Sequence, residues 1–472
     1  MDYFVKDFGA VRDGKADDTL PVQKAIDACA GKNGGRVIVE AGDSCMFTVL
    51  RLKDNVELHV ERGGRLSMKY AGGSEPRAAK SKHSRMDFGI VAEGARNIAL
   101  TGAGEICGNG KLYVTQELPQ IYRTQKFRPH VVTFFGCTDV LIRDIRVMDG
   151  PSWTVTLFEC YNVAIDSLTV YNDMKMPNSD ALDICHCRNV RVCNSHFESG
   201  DDCIVLKTMN TSGNGVPCEN VAVSNCTMTS RSFAINLGCE VSAPIRNCVF
   251  ENIAIVNSHR GIGVHQSRES VIENVLFSNI TVETRHFDPD WWGAGEPIYV
   301  VSIPWTPEDT VGPVRNIRFS HIMCRSEGGA LIYGDAGSVV DNVVLDDVWI
   351  NMEKFTDEPG GRMDLRPAEG SRSPLEAEIF ESEIAAFRVH NAQNVTLRNC
   401  GVSWAGDGGG GGGNGNCGGG AGNGGASAGK RPRWYGYALD ADQAENLRVE
   451  NFRGEHAHRP ELGGARVKPA GQ

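Results

Sequence analysis

No stretch of about eighteen consecutive apolar residues occurs in the chain, so no membrane-crossing helix and no membrane partner are expected. Positive charge is in the minority, with 48 Lys and Arg against 59 Asp and Glu and a net charge of -11. That balance excludes the broad basic surface a nucleic acid requires, while leaving room for a local basic pocket. The opening residues MDYFVKDFGAVRDGKADDT lack the basic start and apolar core of a secretory signal. A cytoplasmic protein is therefore expected, or a secreted one if a signal has been removed. Also missing is any dinucleotide fingerprint in a strand-turn-helix setting, and the glycine run 408–413 is not followed by the Lys-Ser/Thr of a phosphate loop. No cofactor is expected.

Cysteine is present but modest for the length, 16 in 472 residues, and several fall at repeat-equivalent places such as Cys226 and Cys248. Buried, reduced thiols are the expectation. Cys185-His186-Cys187 with Cys193 invites a zinc reading, but adjacent strand positions face opposite sides and no second CxxC pair accompanies them. No metal is expected.

What the chain has in abundance is one phrase: Asn or Asp, an aliphatic, any residue, an apolar residue, any residue, then Asn or Asp. Copies begin at Asn97, Asp139, Asn162, Asn189, Asn220, Asn274, Asn316, Asn342, Asn394 and Asn446, with the variant NCVFEN at Asn247. From Asp139 to Asn274 the starts lie 23, 27, 31, 27 and 27 residues apart. Val-, Ile- and Thr-rich units of that period with two-residue alternation predict a parallel β-solenoid, all-β. Each strand then stacks on its counterpart one coil away, inward aliphatics form a continuous core, and aligned Asn side chains hydrogen-bond along the stack. Function is left to outward side chains and turns.

The 41% hydrophobic content suits one elongated domain over 1–472, expected as a monomer or weak oligomer. Residues 1–70 are expected to form an N-terminal cap and the first coils. Asp18 or Thr19 would cap a short helix with Pro21 in its first turn and Val22, Ala25, Ile26 and Cys29 on one face, covering the open end of the core. Residues 406–429, nearly all Gly, Asn, Ala and Ser, are expected to be a disordered loop inserted in a late coil, since strand patterns resume at Trp434–Leu439 and Asn446–Phe452. A second irregular insert, His286 to Pro297, contains Trp291 and Trp292, whose rings are suited to stacking on sugars or to walling off a groove.

Within the repeat, Asn178-Ser179-Asp180 is followed one coil later by Gly200-Asp201-Asp202, which puts three carboxylates about twenty residues apart on one ridged surface. Clustered like charges disfavour simultaneous ionisation, so one acid stays protonated while another serves as base. The cluster would titrate as a unit. Gly-Asp alone is also a common turn sequence, and the NSD partner is what tips the balance towards chemistry.

These residues carry a resemblance. NSDALD at Asn178–Asp183 and GDDCIVLK at Gly200–Lys207 match, in order and spacing, the Asn-Thr-Asp-Gly-x-Asp and Gly-Asp-Asp-Cys-x-x-x-Lys patterns of the polygalacturonases, the family 28 glycoside hydrolases of pectin. The resemblance runs over nearly the whole length, and DFGAVRDGKADDT with GGRVIVEAG is similar to the start of many pectin-active β-helices. It implies a right-handed parallel β-helix with an N-terminal capping helix. It also implies an inverting glycosidase in which Asp201 protonates the glycosidic oxygen while Asp180 and Asp202 activate water, the acid and base standing about 6.5–9.5 Å apart.

The chain departs from the family where the substrate carboxylate is gripped. Ser232-Phe233-Ala234 stands in place of Gly-His-Gly, and Gly263-Val264-His265 in place of Arg-x-Lys. Arg260 or His265 is expected to substitute, and Glu240 suggests hydroxyl recognition on a different sugar. Asn178, Lys207, Trp292 and Tyr299 complete the expected substrate-binding set, with Lys207 pairing either with the cluster or with substrate. Asp183 is assigned to turn or strand support, and Arg362 and Arg366 are further uronate-binding candidates. The expected substrate is an α-linked oligosaccharide of rhamnogalacturonan or galacturonide type, cleaved from an end. A glycan-binding β-helix without turnover and a uronate lyase or epimerase are the other readings.

Overall fold

The computed structural model describes residues 1–70, 88–209, 215–288, 291–306, 309–335, 337–366, 379–405 and 431–469. The glycine-rich stretch 406–429 lies outside the described residues.

The repeat phrase folds as a right-handed parallel β-helix whose strands pair in parallel with the equivalent strand one coil away. Among the described residues the coils build two large sheets, one of 21 strands and one of 13. In the larger sheet the burial alternates along each unit; Val221 and Val223 point inward and Ala222 faces out in Cys218–Ser230. The Asn that opens each phrase sits in the left-handed region, at φ 58 for Asn220, 57 for Asn247, 58 for Asn274 and 57 for Asn316. Asn tolerates that conformation where a β-branched residue does not, which explains why the phrase begins with it. The corner side chains form a ladder: Asn220 donates to Asn189 at 3.0 Å, Asn274 to Asn247 at 3.3 Å, Asn316 to Asn274 at 2.9 Å and Asn342 to Asn316 at 2.9 Å.

Inward aliphatics from both sheets make one core, with Phe250, Phe277 and Phe319 stacked 5.1 and 4.9 Å apart along it. The helix Thr19–Ala30 buries Val22, Ala25, Ile26 and Cys29 against its N-terminal end, as the spacing predicts. Asp18 does not cap that helix with its side chain. Its carboxylate turns back to accept from the amides of Val11 and Arg12 at 2.7 and 3.0 Å.

The described cysteines are unpaired and, Cys193 and Cys239 aside, buried. After the glycine-rich stretch the strand begins at Leu439 rather than Trp434. Trp434 instead packs over Gly360 and Gly361, where an added Cβ would meet its side chain at 2.7 and 3.0 Å. No helix among the described residues is long and apolar enough to cross a membrane.

Candidate active site

The site is assembled on consecutive strands of the smaller sheet: β1 (Val155–Phe158), β2 (Leu182–Cys185), β3 (Ile204–Thr208), β4 (Phe233–Val241), β5 (Arg260–Gln266) and β6 (Ile298–Ser302). Leu182, Ile204, Ile235, Ile262 and Ile298 are in register and inward, so the positions one residue on face out as a column: Asp183, Val205, Asn236, Gly263 and Tyr299. The turns entering these strands stack as well. The Asp180 carbonyl accepts from Thr154 N at 2.8 Å, and the Asp202 carbonyl from Ala181 N at 2.9 Å.

A column of buried hydroxyls fastens those turns. Ser199 donates to the Ser179 carbonyl at 2.7 Å and its oxygen accepts from Asp201 N at 3.0 Å, while Ser230 donates to the Asp201 carbonyl at 2.7 Å. Ser199 and Ser230 are in register and fully buried. The sequence carries a signal for this column, since successive units end in Ser199, Ser230, Ser258, Thr284 and Ser326. Gly200 is required here: a Cβ would lie 2.3 Å from the Met176 carbonyl.

Asp180, Asp201 and Asp202 converge on one cavity of about 200 Å³, together with Asn178, Lys207, Glu240, Arg260, His265 and Trp292. Among the described residues Asp201 accepts a single hydrogen bond, from Asn178 N at 3.0 Å. Burial, and then the charges of Asp180 and Asp202, push its pKa well above the usual carboxylate range. Asp202 accepts from Phe233 N and from Asn236 Nδ2, both at 2.9 Å. Its pKa is also raised, by burial first and Asp180 second, against the opposing pull of Lys207 and those hydrogen bonds.

Lys207 bridges two carboxylates, reaching Asp180 at 3.1 Å and Asp183 at 3.2 Å, with its ammonium 4.1 Å from the centre of the Trp153 ring. Burial alone would lower its pKa, but Asp180, Asp183, Glu240 and Asp202 outweigh that and raise it well above the ordinary value. Of the two roles left open for Lys207, the ion pair within the cluster is the one on display. Asp183 is fully buried on β2, where burial and Asp180 raise its pKa.

Phe233 and Arg260 are register partners. The Arg260 guanidinium lies 4.9 Å from the Phe233 ring centre and 4.2 Å from that of Tyr299, and Nε donates to Glu296 at 3.1 Å. Position 263 has no room for a side chain, because a Cβ would lie 2.8 Å from both the Phe233 ring and Asn236 Oδ1. His265 lines the cavity and is held neutral, its pKa pushed down to about 3 by burial and by Arg260.

Tyr299 is a correction. It does not line this cavity; it is fully buried beneath Arg260, packed on Phe233 at 5.6 Å, because its column position falls under the Arg260 side chain. Arg366 is likewise fastened, to Asp364 at 2.7 Å and to the Trp291 carbonyl at 2.6 Å, while Arg362 borders a different cavity.

Trp153, Phe233 and Trp305 also line the site, and no sequence argument had singled out the two tryptophans. Arg128, equally unforeseen, holds the Asn178 turn through the carbonyls of Pro151 and Pro177 at 2.7 and 2.5 Å and through Asn178 Oδ1 at 2.8 Å. Its signal is weak, an isolated cation far upstream in sequence. Among the described residues no cluster of three or more His, Cys, Asp or Glu is arranged to hold a metal ion.

Residues 64–289 match the family model for glycosyl hydrolases family 28. That span includes every carboxylate of the cavity. The match covers just under half of the chain, which is similar to this family over that span. Proteins with similar sequences include a probable polygalacturonase of Vitis vinifera, 26% identical over 304 residues, which cover 59% of this chain and 60% of the grapevine protein. The chain thus spans less than two thirds of that relative's length. Two exopolygalacturonases of known structure share the fold. One, from Thermotoga maritima, is 22% identical with a TM-score of 0.60, covering 75% of this chain and 88% of that one. The other, from Yersinia enterocolitica, is 18% identical with a TM-score of 0.66, covering 96% and 78%.

Proposed function

We propose that the protein is a glycoside hydrolase that cleaves α-linked pectin-type oligosaccharides with inversion of configuration. The observation that carries this reading is the unequal treatment of the carboxylates by Lys207. The ammonium touches Asp180 and Asp183, whereas Asp201 has one amide donor and a strongly raised pKa.

Asp201 is therefore the proton donor and Asp180, in contact with the Lys207 ammonium, the base, the division of labour that acetal hydrolysis demands. In the reaction Asp201 gives its proton to the glycosidic oxygen as the bond to the anomeric carbon breaks. A water on the opposite face forms the new bond to that carbon and passes its proton to Asp180. Asp202, fixed by Phe233 N and Asn236, orients the water. The match of residues 64–289 to glycosyl hydrolases family 28 and the similarity to polygalacturonases support the substrate class. Trp292 and Trp305 flank β6, three coils beyond Asp201, and a wall of that kind supports cleavage from a chain end.

The test is product analysis on homogalacturonan, rhamnogalacturonan and neutral α-linked oligosaccharides, following the anomeric proton by NMR, with Asp201→Asn as control. Release of an inverted terminal sugar, absent in the variant, is expected. Unsaturated products would mean a lyase instead, and binding without cleavage a glycan-binding β-helix.

A further inference from the structure

Three buried polar atoms in one wall of the cavity have no hydrogen-bond partner: Nη2 of Arg260, Nε2 of His265 and Oδ1 of Asn236. Arg260 is 1% exposed, His265 and Asn236 5% each. They come from adjacent coils, with Gly263 in register with Asn236 and His265 with Gly238. Leaving a buried polar group unpaired costs roughly 1–3 kcal/mol, so three together mark a surface completed by a ligand.

Their chemistry is mixed. Arg260 Nη2 donates, Asn236 Oδ1 accepts, and a neutral imidazole nitrogen does one or the other. Hydroxyl groups do both and satisfy all three. A carboxylate only accepts, and it would leave Asn236 Oδ1 unpaired.

The charges point the same way. Lys207 is shared by Asp180 and Asp183, Arg260 is paired with Glu296, and His265 is neutral, so every basic side chain lining the cavity is already neutralised or uncharged. Glu240 lines the same cavity and has no ion-pair partner among the described residues. We propose that the sugar held beside Asp201 is neutral, and that Glu240 is the residue that excludes a uronate there while accepting hydrogen bonds from hydroxyls. Phe233 reinforces this by occupying, against Gly263, the volume a second cation would need. The inference narrows the substrate of the hydrolase reading and rests on it for turnover, not for binding.

The experiment uses paired α-linked disaccharides of the galacto, gluco and 6-deoxy series that differ in whether the terminal sugar carries a carboxylate. The full-length protein is expected to show a kcat/KM at least about tenfold higher for the neutral member of its preferred pair, and Glu240→Gln is expected to reduce that preference by about tenfold. Preference for the uronate, or an unchanged ratio in Glu240→Gln, overturns the proposal. If no pair is turned over, the hydrolase reading fails and calorimetric binding of the same pairs decides this one. Tighter binding of neutral sugars, weakened in selectivity by Glu240→Gln, supports it; equal binding, uronate preference or no binding overturns it.

Discussion

The two sheets of this β-helix obey the same stacking rule and use it for opposite purposes. On the larger sheet the outward corner repeats the same residue coil after coil, and the Asn ladder runs from Asn189 through Asn220, Asn247, Asn274 and Asn316 to Asn342. On the smaller sheet the outward column changes at every step, from Asp183 to Val205, Asn236, Gly263 and Tyr299. Identity between coils satisfies hydrogen bonds in solvent at little cost to any one of them. Difference between coils concentrates unlike groups, and with them burial, charge and unpaired polar atoms. The lesson is that regular stacking supplies a rigid grid, and function appears where the grid is filled irregularly.

Breaking the irregular face should have large, specific effects. Asp201→Asn is expected to lower kcat by about 10²–10⁴-fold, the usual worth of a positioned acid. Asn keeps an acceptor for Asn178 N, so the thermal midpoint should hold or rise; steady-state kinetics alongside thermal melts check both. Lys207→Met would leave Asp180 and Asp183 buried without their cation, at a cost of about 3–5 kcal/mol read by urea denaturation.

The acid cluster also sets a pH dependence. Asp183, Asp201 and Asp202 have raised pKa values in the fold. Their contribution to stability is complete below their unfolded pKa of about 3.9 and is lost as pH rises through the folded values. Thermal midpoints of the native chain should therefore fall more steeply above the ordinary carboxylate range than those of Asp201→Asn, and activity should fall with them as Asp201 loses its proton.

The regular face should barely respond. Asn247→Ala forces a Cβ-bearing residue without a polar side chain into the left-handed region at φ 57, costing about 1 kcal/mol, and leaves kcat/KM unchanged. Asn247→Gly should cost less still, since glycine enters that region freely. A loss of activity in either variant would mean that the two faces are coupled and the comparison is wrong.

Much of this was legible in the residues. The Asn-Val-x-Val phrase predicts the solenoid, its period and its ladder, because a stacked coil must repeat its inward aliphatics and its left-handed corner. The spacing of Asp180 from Asp201 and Asp202 predicts their convergence, because one coil returns the chain to the same face. Tyr299 was misread for the converse reason: column position says that a side chain points out, not what lies over it. Arg128 and Trp305 were missed because loop reach leaves no periodic trace.

Local periodicity, glycine at 200 and the pairing of NSD with GDD determine the fold and the acids, since each is a constraint between residues that stacking brings into contact. Which carboxylate keeps its proton, which cation is already paired and which polar atoms stay open depend on burial and on partners such as Lys207, Glu296 and Phe233, brought together from separate coils. Those quantities are set by distance and desolvation, and only the folded chain has either.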